Sequence, residues 1–205
     1  MSAILNWIIF IGLILLLPTA YAAKIGASYA PTFMPAIKRA FSHIKLGPSD
    51  VIVDLGAGDG RTLIAAASRG ATAIGYELSP IMWFIVWFRL QMLRFRPTSP
   101  AIPNQPFIPK QRHTVYLRNF YKQSLPAATT VIFAFLMPEN MAKVKTLLSQ
   151  QKLPNLRSVL IYAFPFTDLK PRQVITTPKC SRVYVYSPSD FLAEYVSTPN
   201  NNRSS

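Results

Sequence analysis

The stretch that most constrains the fold is residues 51–67, VIVDLGAGDGRTLIAAA. A run of β-branched and apolar residues leads into a turn with three glycines, and an Ala- and Leu-rich segment follows. This order predicts a strand, a tight turn and a helix, the first β-α unit of a Rossmann-like sheet. Gly56, Gly58 and Gly60 would let the backbone turn sharply and approach a ligand closely. The N–H groups that begin the helix are then expected to face a polar or anionic group.

The spacing of these glycines distinguishes between nucleotide cofactors. Dinucleotide-binding proteins use G-x-G-x-x-G, whereas here the third glycine follows the second by two positions and Asp54 precedes the turn. A second predicted strand, 71–77, ends in Glu77, whose carboxylate could accept hydrogen bonds from both ribose hydroxyls. The pattern disfavours NAD and predicts a nucleoside cofactor. For Asp59 the alternative is that it only caps the helix.

The rest of the chain continues the alternation of strands and helices. Further strands are predicted at 114–117, 129–135 and 158–164, and a terminal hairpin at 174–176 and 182–186. The expected fold class is therefore α/β, with a mostly parallel sheet that ends in an antiparallel hairpin.

Polar residues at two of the strand ends are candidates for the site, because ligands of open α/β sheets gather at the carboxyl ends of strands. Asn119 and Phe120 follow the third strand and could contact an adenine, although an Asn is also common in ordinary turns. Glu139 follows the fourth strand and could orient a substrate amine. The alternative is an acid that interacts favourably with the dipole of its own helix.

Residues 81–95 predict a helix that is unusually apolar, with Trp83, Phe84, Trp87 and Phe88 among aliphatic residues. Burial against the sheet is the favoured interpretation, and partial membrane contact is the alternative. Residues 96–109 contain five prolines at regular intervals and predict a non-helical loop.

The N-terminus, residues 1–23, carries no charged side chain and is largely aliphatic. It just reaches the length of about 20 residues that spans a bilayer, which predicts a single-pass membrane anchor with residues 24–196 as a catalytic domain on the cytoplasmic or equivalent side. A cleaved signal peptide would need a basic start, which is missing, and a buried helix would need apolar partners all round. Residues 197–205 predict a disordered tail.

The chain is strongly basic, with 22 Lys and Arg against 8 Asp and Glu and a net charge of +14. Two long stretches, residues 1–49 and 78–138, contain basic residues and no Asp or Glu. This favours an anionic partner, with phospholipid headgroups ahead of nucleic acid, although a solvated basic face would look the same. Cys180 is the single cysteine, and with only His43 and His113 beside it no protein-held metal is expected.

Four segments together resemble a known family: 51–67, GYELSP at 75–80, VIFAFLMPENM at 131–141 and LIYAFPF at 160–166. They are similar to the seven-β-strand, class I methyltransferases that use S-adenosylmethionine, and in particular to the lysine N-methyltransferases of the adenine nucleotide translocase and the ATP synthase c-subunit, with their prokaryotic relatives. The resemblance covers about residues 20–190 and includes APTFMP at 30–35.

The resemblance implies a Rossmann-like methyltransferase sandwich with seven strands, S-adenosylmethionine as cofactor, and methyl transfer to lysines of a membrane-associated protein. The family's cofactor roles would fall on one set of residues: Asp54, Gly56, Gly58, Gly60, Glu77 and Asn119. No Asp/Asn-Pro-Pro-Tyr/Phe box follows the fourth strand, which disfavours methylation of adenine or glutamine amides. Methylation of a lipid or small hydrophobic molecule, and cofactor binding without turnover, stay open as alternatives.

Overall fold

A computed structural model of the chain describes residues 2–25, 31–94 and 113–192. The helices are α1 (Ser2–Ile25), α2 (Met34–His43), α3 (Arg61–Ala67), α4 (Pro80–Arg94), α5 (Pro138–Gln150) and α6 (Ser189–Leu192). The strands are β1 (Val51–Leu55), β2 (Thr72–Glu77), β3 (Thr114–Leu117), β4 (Val131–Ala134), β5 (Ser158–Tyr162), β6 (Gln173–Ile175) and β7 (Val183–Tyr186). A short 3₁₀ turn, Phe120–Lys122, follows β3.

The strands form one seven-stranded sheet in the order β3-β2-β1-β4-β5-β7-β6. The first five strands run parallel, and β7 is antiparallel both to β5 and to β6. The predicted α/β fold with a mostly parallel sheet and a terminal antiparallel hairpin is therefore confirmed. The strand order reverses between β1 and β4, and the crevice at such a switch point is where open α/β sheets bind ligands.

Both faces of the sheet are covered, as a parallel sheet requires. Alternate residues of β1 point to opposite faces: Ile52 joins a core with α2, α3 and α4, whereas Val53 and Leu55 join a second core with α5. Both cores are built of fully buried aliphatic and aromatic side chains. The two layers fix the carboxyl ends of β1, β2 and β4 relative to one another.

The close approach of α3 to the sheet depends on Gly75 in β2. A Cβ atom at this position would lie 2.6 Å from Leu63 Cδ1 and 2.9 Å from Ala57 Cβ. The missing side chain lets α3 lie directly on β2, and so places the turn that precedes α3 beside the end of β2.

Helix α4 corresponds to the apolar helix predicted at 81–95, but only part of its surface is buried. Val86 and Leu90 are buried in the core, and the Trp83 indole N–H donates to the Val115 carbonyl at 3.1 Å. The side chains of Phe84 and Phe88 are half-exposed. Burial against the sheet thus describes one face of the helix.

The prediction of an N-terminal membrane anchor at 1–23 is wrong. A helix, α1, does occupy this part of the chain and lies against α4. A single span needs about 20 consecutive, predominantly apolar helical residues. Within residues 2–25, 31–94 and 113–192 no helix is long and apolar enough to cross a membrane. The single-pass membrane localisation that was inferred from this segment falls with it.

Helix α2 was not predicted from the sequence. Proline stands in its first turn, where a missing N–H costs nothing, and its buried side chains recur at helical spacing as Ala36, Ile37, Ala40 and Phe41. This periodicity was the signal that could have revealed it. The predicted proline-rich loop at 96–109 and the predicted tail at 197–205 lie outside the described residues.

Candidate functional site

The structure brings the sequence-predicted site residues to one edge of the sheet. Asp54 is the penultimate residue of β1, and the three glycines lie in the turn after the strand. Glu77 ends β2, Asn119 and Phe120 follow β3, and Glu139 lies in the first turn of α5 after β4. All of these strands are neighbours, so their carboxyl ends converge on the switch point.

The glycine turn is tight, and all three of its glycines have positive φ. The N–H groups of Gly56 and Ala57 both donate to the Tyr76 carbonyl, at 3.0 and 2.8 Å. Gly60 has φ of 78°, and a Cβ there would lie 2.7 Å from Val86 Cγ1. Any other residue at 60 would meet both a strained backbone and a clash with α4. The turn is therefore fixed by β2 on one side and by α4 on the other.

Glu77 is tied to this turn by its side chain. Its Oε2 atom accepts a hydrogen bond from Gly58 N at 2.8 Å, and its Oε1 atom accepts from Leu78 N and Ser79 N, both at 2.8 Å. The residue is 7% exposed. Three backbone donors thus hold one buried carboxylate in place, in the position predicted for a contact with ribose.

Asp54 is almost completely enclosed, at 2% exposure. Burial, followed by the negative charge of Glu77, raises the pKa of the Asp54 carboxyl well above its ordinary value. A hydrogen bond with the Thr62 side chain opposes this shift only in part. The environment therefore favours the uncharged form of the acid.

Asp59 is the centre of an arginine cluster that the sequence did not reveal. Arg61 Nε donates to the Asp59 Oδ1 atom at 2.9 Å. Arg89 Nη1 lies 3.0 Å from the Asp59 Oδ2 atom and donates to the Asp59 carbonyl at 2.6 Å. A second nitrogen of Arg61 reaches the Thr32 carbonyl at 2.8 Å. Although burial acts to raise it, the hydrogen bonds from Arg61 and Arg89 hold the pKa of Asp59 at about 2.

This cluster joins the turn to α4 and to the segment before α2. The predicted alternative, a helix cap, is present only as a long contact of 3.4 Å between Arg61 N and Asp59 Oδ1. No sequence signal could have found Arg89, because it lies a helix and a strand further along the chain.

Asn119 and Phe120 have structural contacts of their own. The Asn119 Oδ1 atom accepts a hydrogen bond from Tyr121 N at 3.0 Å and so caps the 3₁₀ turn, as expected for an Asn in a turn. Phe120 is buried in the second core, 4.2 Å from the Tyr121 ring between centroids. Burial raises the pKa of the Tyr121 hydroxyl to about 12. Nothing in these contacts prevents the remaining polar atoms of Asn119 from meeting a ligand.

Glu139 is exposed in the first turn of α5, where a negative charge interacts favourably with the helix dipole. Its neighbour Asn140 is buried. Within the described part of the chain, no group of three or more His, Cys, Asp and Glu side chains is arranged to hold a metal ion.

The sheet order and the glycine turn define the class: this is the fold of class I methyltransferases. An RNA methyltransferase from Salinibacter ruber, solved with S-adenosyl-L-homocysteine, superposes with a TM-score of 0.64 at 20% identity, over 85% of this chain and 100% of that one. No protein-family model matches the chain.

In sequence the chain is similar to ATP synthase c-subunit lysine N-methyltransferases. It is 29% identical to the Xenopus laevis protein over 152 residues, which cover 74% of this chain and 59% of the relative. It is 30% identical to the Homo sapiens protein over 140 residues, which cover 68% of this chain and 53% of the relative. The chain thus spans a little over half the length of these relatives. The resemblance predicted from the sequence motifs is confirmed.

Proposed function

We propose that this chain is an S-adenosylmethionine-dependent methyltransferase that methylates lysine side chains of a protein. The observation that carries the proposal is the buried Glu77 carboxylate, held by backbone donors against a three-glycine turn at the switch point of the sheet. The similarity to lysine N-methyltransferases of the ATP synthase c-subunit supports lysine as the acceptor.

Glu77 would hold the ribose of the cofactor. A carboxylate has about four acceptor positions, of which backbone N–H groups occupy two on Oε1 and one on Oε2. One position is left, whereas two ribose hydroxyls need two. Binding of both hydroxyls therefore requires that one backbone N–H release the carboxylate. The Gly58 N–H is the candidate, because it belongs to the glycine turn and, once freed, can bond to the ligand. Cofactor binding would therefore change the hydrogen bonds of the glycine turn and of Glu77 at the same time.

The remaining cofactor contacts follow from the same edge of the sheet. Gly56, Gly58 and Gly60 would allow close approach of the methionine part, and the Asp54 carboxyl would support the turn from its enclosed position. Asn119 and Phe120, next to Glu77 through the pairing of β3 with β2, would contact the adenine. When bound, S-adenosylmethionine supplies an electrophilic methyl group on a sulfonium.

The chain's part in the reaction is to position an uncharged lysine amine in line with that methyl group and to exclude water. The loop after β4 lines this position, because it leaves the sheet on the other side of β1 from Glu77. Glu139 in this region is a candidate for orienting the amine.

We extend the proposal to a membrane-associated protein as the substrate. Apolar side chains stand exposed on two adjacent helices, among them Trp7 and Phe10 on α1 and Phe84 and Phe88 on α4. Exposed apolar surface of this kind supports contact with an apolar partner surface.

The test is to incubate the full chain with methyl-labelled S-adenosylmethionine and a membrane fraction, and then to locate the label. We expect label on lysine in a protein band, identified by mass spectrometry, and its loss in Glu77→Ala. Asp190→Asn, which changes an acid paired with Arg172 far from the turn, is the control and should keep activity. Label only in lipid would overturn the lysine acceptor, and cofactor binding without any label would overturn the enzyme.

A further inference from the structure

Three aromatic side chains meet where β4 and β5 end. Phe135 follows β4, Tyr162 ends β5, and their rings lie 4.9 Å apart between centroids at an interplanar angle of 83°. Phe164 stacks near Phe135 at 6.3 Å and 27°. Phe135 and Phe164 are partly exposed, so the group is open on one side. We call it the aromatic cluster.

The backbone bends sharply to place Phe164. Phe164 N donates to the Tyr162 carbonyl at 2.9 Å across Ala163, which has φ of 70°. This is a three-residue turn with a left-handed central residue, a rare conformation for an alanine. Ala163 N is itself held by the Arg182 carbonyl at 2.9 Å. Strained backbone of this kind persists at ligand sites more often than in ordinary connections.

The hydroxyl of Tyr162 is the second unusual feature. Tyr162 is 2% exposed, and its hydroxyl has no hydrogen-bond partner within the described part of the chain. Most buried hydroxyls in proteins are bonded, because an unpaired one loses its hydration without compensation. A ligand at the aromatic cluster could supply the missing partner.

We propose that the aromatic cluster is the subsite for the acceptor amine, an inference that rests on the proposed methyl transfer. Aromatic faces attract alkylammonium groups through the ring quadrupole, and they exclude the water that would solvate the amine. The Tyr162 hydroxyl accepts a hydrogen bond from an amine N–H. The location agrees, since the cluster stands at the carboxyl ends of the two strands that continue the sheet from β1.

Methyl transfer at this subsite needs no reactants other than the lysine, the cofactor and water as the proton acceptor. The lysine ammonium first loses a proton to water, and its nitrogen lone pair then attacks the methyl carbon. The new C–N bond forms as the C–S bond breaks, and the sulfur leaves with the bonding pair as a neutral thioether. The product is a methylammonium, which the same aromatic faces hold until it is released.

The chemistry of the ligand allows the two parts of the subsite to be tested separately. The probes are Nε-monomethyl-lysine amide, which has N–H donors, and Nε,Nε,Nε-trimethyl-lysine amide, which has none on the side-chain nitrogen. Norleucine amide, whose side chain carries no nitrogen and no charge, is the control. Binding to the full chain is measured by calorimetry, with and without S-adenosylhomocysteine.

We expect the wild type to bind both lysine probes and not norleucine amide. Phe164→Leu keeps an apolar side chain but removes the ring, and should weaken both lysine probes about tenfold. Tyr162→Phe should weaken only the monomethyl probe, by about five- to tenfold. Phe33→Leu, at an exposed position just before α2, is the matched control and should change neither.

Equal binding of both probes by the wild type and by Phe164→Leu would overturn the aromatic part, as would failure of the wild type to bind them. Equal effects of Tyr162→Phe on the two probes would overturn the role of the hydroxyl. The melting temperature of each variant identifies losses that come from misfolding. Failure of the proposed function gives a different result, because the wild type would then bind no S-adenosylhomocysteine or transfer no label, whatever the amine titrations show.

Discussion

The acids at the two ends of β1 lie in opposite electrostatic environments. Asp50, just before the strand, accepts four hydrogen bonds on its carboxylate. Its Oδ1 atom accepts from Thr130 Oγ1 at 2.7 Å and Arg157 Nε at 2.9 Å, and its Oδ2 atom accepts from Arg157 Nη2 and Gly47 N, both at 2.9 Å. Burial acts to raise the pKa of Asp50, but hydrogen bonds from Arg157, Gly47 and Thr130 lower it below its ordinary value.

At the other end, Asp54 is buried beside Glu77, and the hydrogen bonds to Glu77 come from backbone N–H groups. At the amino end of β1, the negative charge of Asp50 is thus paired with the positive charge of Arg157, which stabilises the fold. The carboxyl end keeps acids close together and leaves an acceptor position on Glu77. A protein tolerates such an arrangement where a ligand completes it.

Among the variants that test this difference between the two ends, Glu77→Ala should have the largest effect, on cofactor affinity. Loss of the carboxylate removes the contacts to both ribose hydroxyls and frees the Gly58 N–H, so the affinity for S-adenosylhomocysteine should fall at least about 100-fold, or about 3 kcal/mol. Calorimetry measures the affinity, and Asp190→Asn should keep it. An unchanged affinity would mean that the ribose does not bind at Glu77.

Arg157→Met should have the next largest effect, on stability instead of binding. It leaves the buried Asp50 carboxylate without its cation, at a cost of about 2 to 3 kcal/mol in the free energy of unfolding. Since the folded-state pKa of Asp50 is lowered, its stabilisation is present above the ordinary value of 3.8 and is lost as the pH falls through the folded value. The difference between variant and wild type should therefore shrink in acid.

Urea denaturation between pH 3 and pH 7 checks this. Cofactor affinity should stay at the wild-type level in the folded variant, because Asp50 lies before the start of β1, whereas Glu77 lies at the carboxyl end of the neighbouring parallel strand β2. A loss of affinity without a loss of stability would break the separation between the two ends of β1.

Local spacing in the sequence predicted the acids and glycines at the carboxyl end of β1, but it predicted the ion pairs at neither end. Asp54, the glycines and Glu77 lie close together in the chain, and local spacing predicted them. Asp50 meets Arg157, and Asp59 meets Arg89, only after the sheet and helices have assembled. Such pairs leave no periodic pattern, so charge composition alone could not assign partners.

At the N-terminus, by contrast, the sequence predicted a feature that the structure contradicts. An uncharged run of near-spanning length predicted a membrane anchor, yet no helix in the described residues is long and apolar enough to cross a membrane. The aromatic cluster was not predicted, because Phe135, Tyr162 and Phe164 look like ordinary strand residues in the sequence. Only the pairing of β4 with β5 and the turn at Ala163 bring them together.

Asp54→Asn should act in the direction opposite to Arg157→Met. Because the folded-state pKa of Asp54 is raised, its stabilisation is fully present below 3.8 and is lost as the pH rises through the folded value. Each pKa unit corresponds to about 1.4 kcal/mol. The amide cannot ionise, so the variant should gain stability relative to the wild type as the pH rises from 4 to 8, measured by urea denaturation. A constant difference across this range would show that Asp54 does not carry this penalty.

The smallest effect is expected for Arg89→Met, which tests whether the ion pairs around Asp59 contribute as much to stability as the Asp50–Arg157 pair. The Arg89 side chain is 44% exposed, so solvent screens its pair with Asp59. The loss should be about 0.5 to 1 kcal/mol of unfolding free energy, and it should shrink further in 1 M salt because the pair is accessible to ions. Arg157→Met serves as the matched variant. The Arg157 side chain is similarly exposed, at 39%, but it donates two hydrogen bonds to Asp50. Asp59, by contrast, would keep its pair with Arg61, so Arg157→Met should have the larger effect. The contrary outcome is that Arg89→Met lowers the free energy of unfolding as much as Arg157→Met at both salt concentrations. In that case the ion pairs at the glycine turn would stabilise the fold as much as those at the amino end of β1, and the two ends would not differ in this respect.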